Sequence, residues 1–280
     1  MIDLHIHSTC SDGTFTPSEL IQKITEIGLS GFSLTDHDTT QGIPEILASD
    51  LPDNTRFIPG IEISCDALHR EIHILGYGID WKNKKLNDTL NTLREKREIR
   101  NLKMIEKFQK DGYPMTLEKL QHHDPNTVIT RAHFARVLIE EGICGSTDQA
   151  FSKFLGEKCK YYLPKPFFSP ENCIKIILDA GGIPILAHPF LYKFSNSELK
   201  HLIEDLKEKG LQGIEIYHSS HHAGQIMKLR QWQKEYNLLA TGGSDFHGLN
   251  KPDIKIGVGR GSLYVPDHLL DCLLEHSEKK

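Results

Sequence analysis

Short apolar segments that carry or run into histidine and acidic residues recur along this chain, and no other feature restricts its fold as much. Ile2-Asp3-Leu4-His5-Ile6-His7 alternates with a period of two, placing Ile2, Leu4 and Ile6 on one face and Asp3, His5 and His7 on the other. Gly31 to Thr35 runs into Asp36-His37-Asp38, Phe57 to Ile63 carries Glu62, and Ile72 to Tyr77 carries His73. Ile183 to Ala187 runs into His188-Pro189, and Leu239 to Gly243 into Ser244-Asp245-Phe246-His247, with Gly213 to Tyr217 between them. Helical patterns separate these segments: 18–27, opened by Pro17 and closed by Gly28, then a short one from Pro44, and later 170–180, 196–209, 222–236 and 266–275. Alternation of this kind predicts an α/β fold with a mostly parallel sheet covered by helices. Seven strands over this length suit a barrel better than an open sheet.

Residues 81–165 break the alternation. Leu86, Leu90 and Leu93 stand at helical spacing, and clear strands are absent. A connection that long inside a compact domain should be a substructure of its own. It reads as an inserted helical lid between barrel segments 1–80 and 166–280, which suits a chain of 280 residues. The formal charge of −5 argues against a large basic surface for coating nucleic acid, and no stable binding of duplex DNA is expected. Six cysteines without a CxxC pair argue against a disulfide framework or a zinc ribbon and favour a reducing, cytoplasmic location. No apolar stretch approaches the roughly 20 residues of a membrane span, and the first residues lack the basic and apolar regions of a secretory signal.

Sixteen histidines are many for this length, and their placement decides the chemistry. His5, His7, Asp12, His37, Glu62, His73, His188, Asp245 and His247 lie at or near strand ends, which converge on one face in parallel α/β proteins. A lone histidine or aspartate there is usually a satisfied structural residue. Nine of them, with one H-x-H and one D-x-H, form a set that needs a common partner, because unpaired burial costs about 2–7 kcal/mol per group. Six imidazoles and three carboxylates without a thiolate favour Mn, Fe or Zn, and nine ligands imply two or three divalent ions rather than one.

At this point the motifs resemble a known family. His5-Ile6-His7-Ser8-Thr9-Cys10-Ser11-Asp12-Gly13, Thr35-Asp36-His37-Asp38, Gly60-Ile61-Glu62, His73, Ala187-His188-Pro189 and Gly243-Ser244-Asp245-Phe246-His247 are similar to those of PHP-domain (polymerase and histidinol phosphatase) phosphoesterases. The similarity is greatest to the stand-alone bacterial branch of 3′,5′-nucleotide bisphosphatases and 5′–3′ exoribonucleases, whose helical insertion carries an Arg-x-His segment like Arg131-Ala132-His133. The resemblance implies a distorted seven-stranded (β/α) barrel with a trinuclear centre, manganese first among the metals. One ion would be held by His5, His7, Glu62 and Asp245, a second by Glu62, His73 and His188, and a third by Asp12, His37 and His247. Asp12, His37 and His247 would hold the ion that assists the leaving group.

The implied activity is hydrolysis of phosphate esters in small nucleotides: removal of the 3′-phosphate from 3′,5′-bisphosphonucleotides, or 5′–3′ exonuclease action on short 5′-phosphorylated RNA. Clustered divalent ions generate hydroxide for in-line attack on phosphorus. Histidinol-phosphate phosphatase and a non-catalytic metal-binding module are the alternatives. Arg131 and His133 are the candidates for gripping a phosphate from the lid. Lys158 and Lys160 stand where relatives have a Gly/Lys-rich turn, with no basis for choosing between them. Tyr161 and Tyr162 suit base stacking or core packing equally. The run 94–100 (Arg-Glu-Lys-Arg-Glu-Ile-Arg) reads as a solvated helix face, and His218, His221 and His222 as bland rim residues.

Overall fold

The computed structural model describes residues 1–121, 125, 127–164 and 168–278. The chain opens with β1 (Ile2–Ile6), α1 (Pro17–Ile27), β2 (Gly31–Leu34), α2 (Ile43–Leu47) and β3 (Arg56–Phe57). A hairpin of β4 (Gly60–Ala67) and β5 (Arg70–Tyr77) follows, then α3 (Lys84–Lys110), α4 (Leu117–Gln121), α5 (Arg131–Glu140), α6 (Thr147–Ala150) and a π-helical turn, Phe151–Leu155. The last third is α7 (Pro170–Asp179), β6 (Ile183–Leu186), α8 (Asn196–Glu208), β7 (Gly213–His218), α9 (Ala223–Glu235), β8 (Leu239–Gly243) and α10 (His268–Glu278). The 165/166 boundary expected from sequence falls outside the described residues.

Among the described residues, eight strands form two sheets rather than one closed seven-stranded ring. The first has the order β1-β2-β3 and is parallel; the second has the order β4-β5-β6-β7-β8. β5 runs antiparallel to both β4 and β6, so the sheet is mixed where a parallel one was expected. The physical cause lies in two short stretches. Phe57 to Ile63 does not continue as one strand because Pro59 has no N–H to donate. Leu68 and His69 both adopt positive φ, 52° and 61°, which gives the tight turn that folds β5 back on β4.

Backbone bonds stitch the two sheets together beside the strand ends. Asp245 N–H donates to His5 C=O at 2.9 Å and His7 N–H to Phe246 C=O at 3.0 Å. On the other edge Asp38 N–H donates to Glu62 C=O at 2.9 Å. Gly243 permits the first of these junctions: a Cβ there would fall 2.4 Å from the backbone nitrogen of His5.

Local sequence explains the helices that frame the site. In α1, Thr16 caps the backbone of Glu19 while the Glu19 carboxylate accepts from Thr16 N–H at 2.8 Å, and Gly28 ends the helix at φ 73°. The 27-residue α3 bridges two cores. Its Leu86, Leu90 and Leu93 join the larger core, with Ile61, Ile63, Ile74 and Ile177. Its Met104, Ile105 and Phe108 join a separate core with Phe134, Leu138 and Tyr161, where the Phe108 and Tyr161 rings stack at 4.0 Å.

Candidate metal centre

β1 delivers His5 and His7 from one face, both with no exposure, as its period of two requires. The loop after it doubles back to present Asp12. Asp36 holds that loop, accepting from Ser8 N–H at 2.8 Å, from Ser8 Oγ at 2.6 Å and from Ser11 Oγ at 2.5 Å. His37 lies just past β2, and His188, Asp245 and His247 lie just past β6 and β8. Glu62 and His73 instead sit inside β4 and β5, a consequence of the hairpin. Asp38, His188 and Asp245 have φ of 52°, 23° and 59°, so three residues beside or within the candidate set hold left-handed backbone.

All nine residues singled out from sequence meet. Glu62 is the hub: its Oε2 lies 3.4 Å from His5 Nε2, 3.3 Å from His7 Nε2 and 3.1 Å from His37 Nδ1. Its Oε1 lies 2.9 Å from both His73 Nδ1 and His188 Nε2. Asp245 Oδ1 is 3.5 Å from His7 Nε2 and 3.4 Å from His247 Nδ1, and Asp12 Oδ1 is 3.2 Å from His247 Nε2. Ligand atoms gather within 4.8 Å of one another in four overlapping groups: His7-Asp12-His37-His247, His5-His7-Asp245, His5-Glu62-His188 and His37-Glu62-His73.

The protonation pattern is that of a buried cluster balancing itself. Burial would raise the Glu62 carboxyl, but the charges of His37, His73 and His5 hold it well below the usual range. Asp12 is likewise held low against burial, by His37 and His247. Burial lowers the histidines, yet Asp245 and Glu62 lift His7 to about 9, and Glu62 and Glu71 lift His73 to about 9. His188 falls to about 4, because burial outweighs Glu62.

Divalent cations fit this donor set. His5 Nε2, both His7 ring nitrogens, Asp12 Oδ1, His37 Nδ1, Glu62 Oε2 and His188 Nδ1 are buried without a hydrogen-bond partner, which is costly unless a cation meets them. Bound metal would take over the counter-charge that protonated imidazoles supply here.

The model of the PHP domain matches residues 3–160, more than half of the chain. The chain belongs to the PHP domain family. It is similar to the 5′-3′ exoribonuclease Rnm of Escherichia coli, 34% identical over 94% of this chain and 89% of that one. It is also similar to the 3′,5′-nucleoside bisphosphate phosphatase of Chromobacterium violaceum, 33% identical over 88% and 87%. Among solved structures, an amidohydrolase from Chromobacterium violaceum with bound sulfate and no metal has a TM-score of 0.84, at 31% identity over 95% of this chain and 91% of that one. The PHP chain is a hydrolase of phosphate esters.

The cluster opens into a cavity of about 410 Å³ whose opposite wall is cationic. Arg131 lines it, as expected, paired with Glu71 at 2.7 Å. His133 does not. It is buried at the third position of α5, where Nδ1 accepts from Thr130 N–H at 3.0 Å, a capping role set by Thr130-x-x-His133. Lys158 and Lys160 do not line the cavity either, and Lys160 pairs with Asp111 at 2.5 Å. Tyr161 is core, whereas Tyr162 lies 5.5 Å from the Arg131 guanidinium.

Three residues read as bland turn out to face the site. Arg97 and Arg100, inside the supposedly solvated run, are 5% and 6% exposed and line the cavity. Burial and their mutual repulsion bring Arg97 down to about 9, and Arg100 has a buried Nε without a partner. His218 lies 3.3 Å from Asp245 Oδ2, while His221 Nδ1 hydrogen-bonds with Ile216 C=O and His222 with Gln225. Glu215 is fully buried behind the cluster, 2.9 Å from His5 Nδ1 and accepting from His188 N–H at 2.7 Å. Its signal was available: Ile214-Glu215-Ile216 repeats the pattern Ile61-Glu62-Ile63. Among the described residues, no helix is long and apolar enough to cross a membrane.

Proposed function

We propose that this chain hydrolyses phosphate esters of small nucleotides, taking 3′,5′-bisphosphonucleotides or short 5′-phosphorylated RNA at the His-carboxylate cluster. The observation that carries this reading is the single cavity with two unlike walls. One wall presents five of the nine candidate ligands, Asp12, His37, His73, His188 and His247, and the other presents Arg97, Arg100 and Arg131, with Lys251 also lining the cavity. Its volume lies within the range of small-ligand sites. Arg100 has a buried Nε without a partner, and phosphate oxygens match the guanidinium fork. A substrate with one phosphate at the cluster and another on the arginines satisfies both walls.

The chain divides, in this reading, into a barrel of 1–80 and 166–280 and a helical lid of 81–165. His5, His7, Glu62 and Asp245 would hold one ion, Glu62, His73 and His188 a second, and Asp12, His37 and His247 a third, with manganese first among Mn, Fe and Zn. Bound divalent ions supply an activated hydroxide and neutralise charge on phosphoryl oxygens. Glu62 orders the five imidazoles around it. Arg131, Arg97 and Arg100 orient the substrate by its second phosphate and exclude water from that wall. Asp12, His37 and His247 line the cavity, and the ion they would hold would assist the leaving oxygen. Six cysteines without a CxxC pair suit a cytoplasmic enzyme.

The test is product analysis with Mn-loaded protein, given 3′-phosphoadenosine 5′-phosphate and a 5′-phosphorylated RNA tetramer in parallel, with His37→Ala as control. Free phosphate and 5′-AMP from the first substrate identify a nucleotide phosphatase. Shortening of the tetramer to 5′-mononucleotides identifies an exonuclease. Turnover of neither by metal-loaded protein overturns the reading.

A further inference from the structure

Glu71 divides its carboxylate between the cluster and the insertion. Its Oε1 lies 3.6 Å from His73 Nε2, and its Oε2 accepts from Arg131 at 2.7 Å. The His73 ring turns its other nitrogen, Nδ1, to Glu62 Oε1 at 2.9 Å. Four side chains therefore form one line from the hub of the cluster to its cationic wall: Glu62, His73, Glu71, Arg131. Glu71 and His73 are two apart on β5 and so share a face. Both line the cavity, as does Arg131.

We propose that Glu71 is a positioning residue that couples the hold of Arg131 on a substrate phosphate to the seat of His73 in the metal cluster. This rests on the function proposed above, in which Arg131 meets phosphate and His73 is a ligand. An imidazole that gives Nδ1 to a cation carries its proton on Nε2, and an outer carboxylate that accepts this proton fixes both tautomer and ring plane. Among the described residues, Glu71 is the carboxylate that reaches the outer nitrogen of His73.

The two distances say how the coupling works. At 3.6 Å the Glu71–His73 contact is longer than a hydrogen bond, whereas the Arg131–Glu71 bond is short and charge-assisted. Arg131 thus holds the carboxylate back from His73. A phosphate that competes for the Arg131 fork frees Glu71 to close on His73, so phosphate and metal strengthen each other reciprocally. A carboxylate that merely neutralised Arg131 would give no such link.

The experiment uses metal-stripped full-length protein as wild type, Glu71→Gln, Arg131→Lys and the double variant. Mn²⁺ dissociation constants come from calorimetric titration, and KM and kcat come from phosphate release after reloading. The expected result is an Mn²⁺ dissociation constant about tenfold weaker in Glu71→Gln, the lower end of what loss of an outer carboxylate does. Both single variants raise KM more than they lower kcat, and the double variant raises it no further than the larger single effect. An Mn²⁺ dissociation constant within error of wild type in Glu71→Gln overturns the proposal, leaving Glu71 as a counter-ion. Additive effects on KM overturn it equally, because independent residues add. Absence of turnover by wild type defeats the functional reading instead, and the Mn²⁺ titration then still judges Glu71.

Discussion

Arg97 of α3 forms a buried ion pair with Asp38, the residue that follows His37, and so fastens α3 beside the candidate ligands. Asp38 is held at φ 52° and also accepts from Ser64 N–H at 3.0 Å on β4. Arg97→Ala leaves that carboxylate buried without its cation, and breaking a buried pair in this way costs about 3–5 kcal/mol. Urea unfolding of the metal-free protein checks it. Asp38→Asn in the Arg97→Ala background recovers part of the loss. A loss below about 1 kcal/mol would show the pair behaving like an exposed one.

Glu215 acts from behind the cluster. Its charge faces His5 Nδ1, which leaves His5 Nε2 directed at Glu62 and Asp245. Glu215→Gln keeps an acceptor for His188 N–H but removes the charge that sustains the outer proton of His5. The expected outcome is Mn²⁺ binding weaker by about 10–100-fold, the usual result of changing an outer-sphere partner. Calorimetric titration measures it, and unchanged affinity would place His5 outside the metal set.

The candidate ligands were legible in the sequence because each is a polar residue set into or just beyond an apolar segment, as in Ile61-Glu62-Ile63 and Ala187-His188-Pro189. The strand count and direction were less so. Leu68-His69 carries no glycine or asparagine to announce a turn with two positive φ values, so β4 and β5 read as separate members of a parallel set. The helical character of α3 was legible, but not its orientation. Arg97 and Arg100 are buried because α3 lies across the cavity, and a helix rich in alternating charge does not reveal which of its faces another wall will cover. His133 shows the converse: Arg-x-His suggested a binding pair, but a histidine three residues after Thr130 had a capping role to fill.

Two buried histidines outside the candidate ligand set predict how stability depends on pH. Burial, helped by Arg136 and Arg97 against the pull of Asp12, lowers His133 to about 4. Burial and His218 lower His221 to about 4 as well. Between the ordinary histidine value near 6.5 and 4, the unfolded chain binds protons that the folded chain refuses. The contribution of these two groups to stability is therefore full above pH 6.5 and falls as pH drops through that window, by about 3 kcal/mol for each group once below it. Denaturation midpoints of metal-free protein across pH 7.5 to 4 test the slope. His133→Gln keeps an acceptor at the capping position and removes one share of it.

Metal removal should loosen the molecule unevenly. The candidate-ligand atoms that are buried without partners belong to β1 and the segment after it, to β4 and to the segments after β2 and β6, while a separate core surrounds Phe108, Phe134 and Tyr161. A ligand at a hundred times its dissociation constant adds about 2.7 kcal/mol to the folded state, and that increment resides where the ligand binds. Chelation should therefore accelerate amide exchange in β1, β4 and the His188 and Asp245 segments, and change α4, α5 and α6 much less. Exchange measured by mass spectrometry before and after chelation, and again after Mn²⁺ is restored, resolves these segments. If α5 loosened as much as β1, Thr130 would be the reason to examine, since its Oγ1 donates to Asp12 Oδ2 at 2.8 Å and ties that helix to the cluster. The variant Thr130→Ala then separates the two routes: exchange in α5 should cease to respond to metal, while exchange in β1 should respond as before.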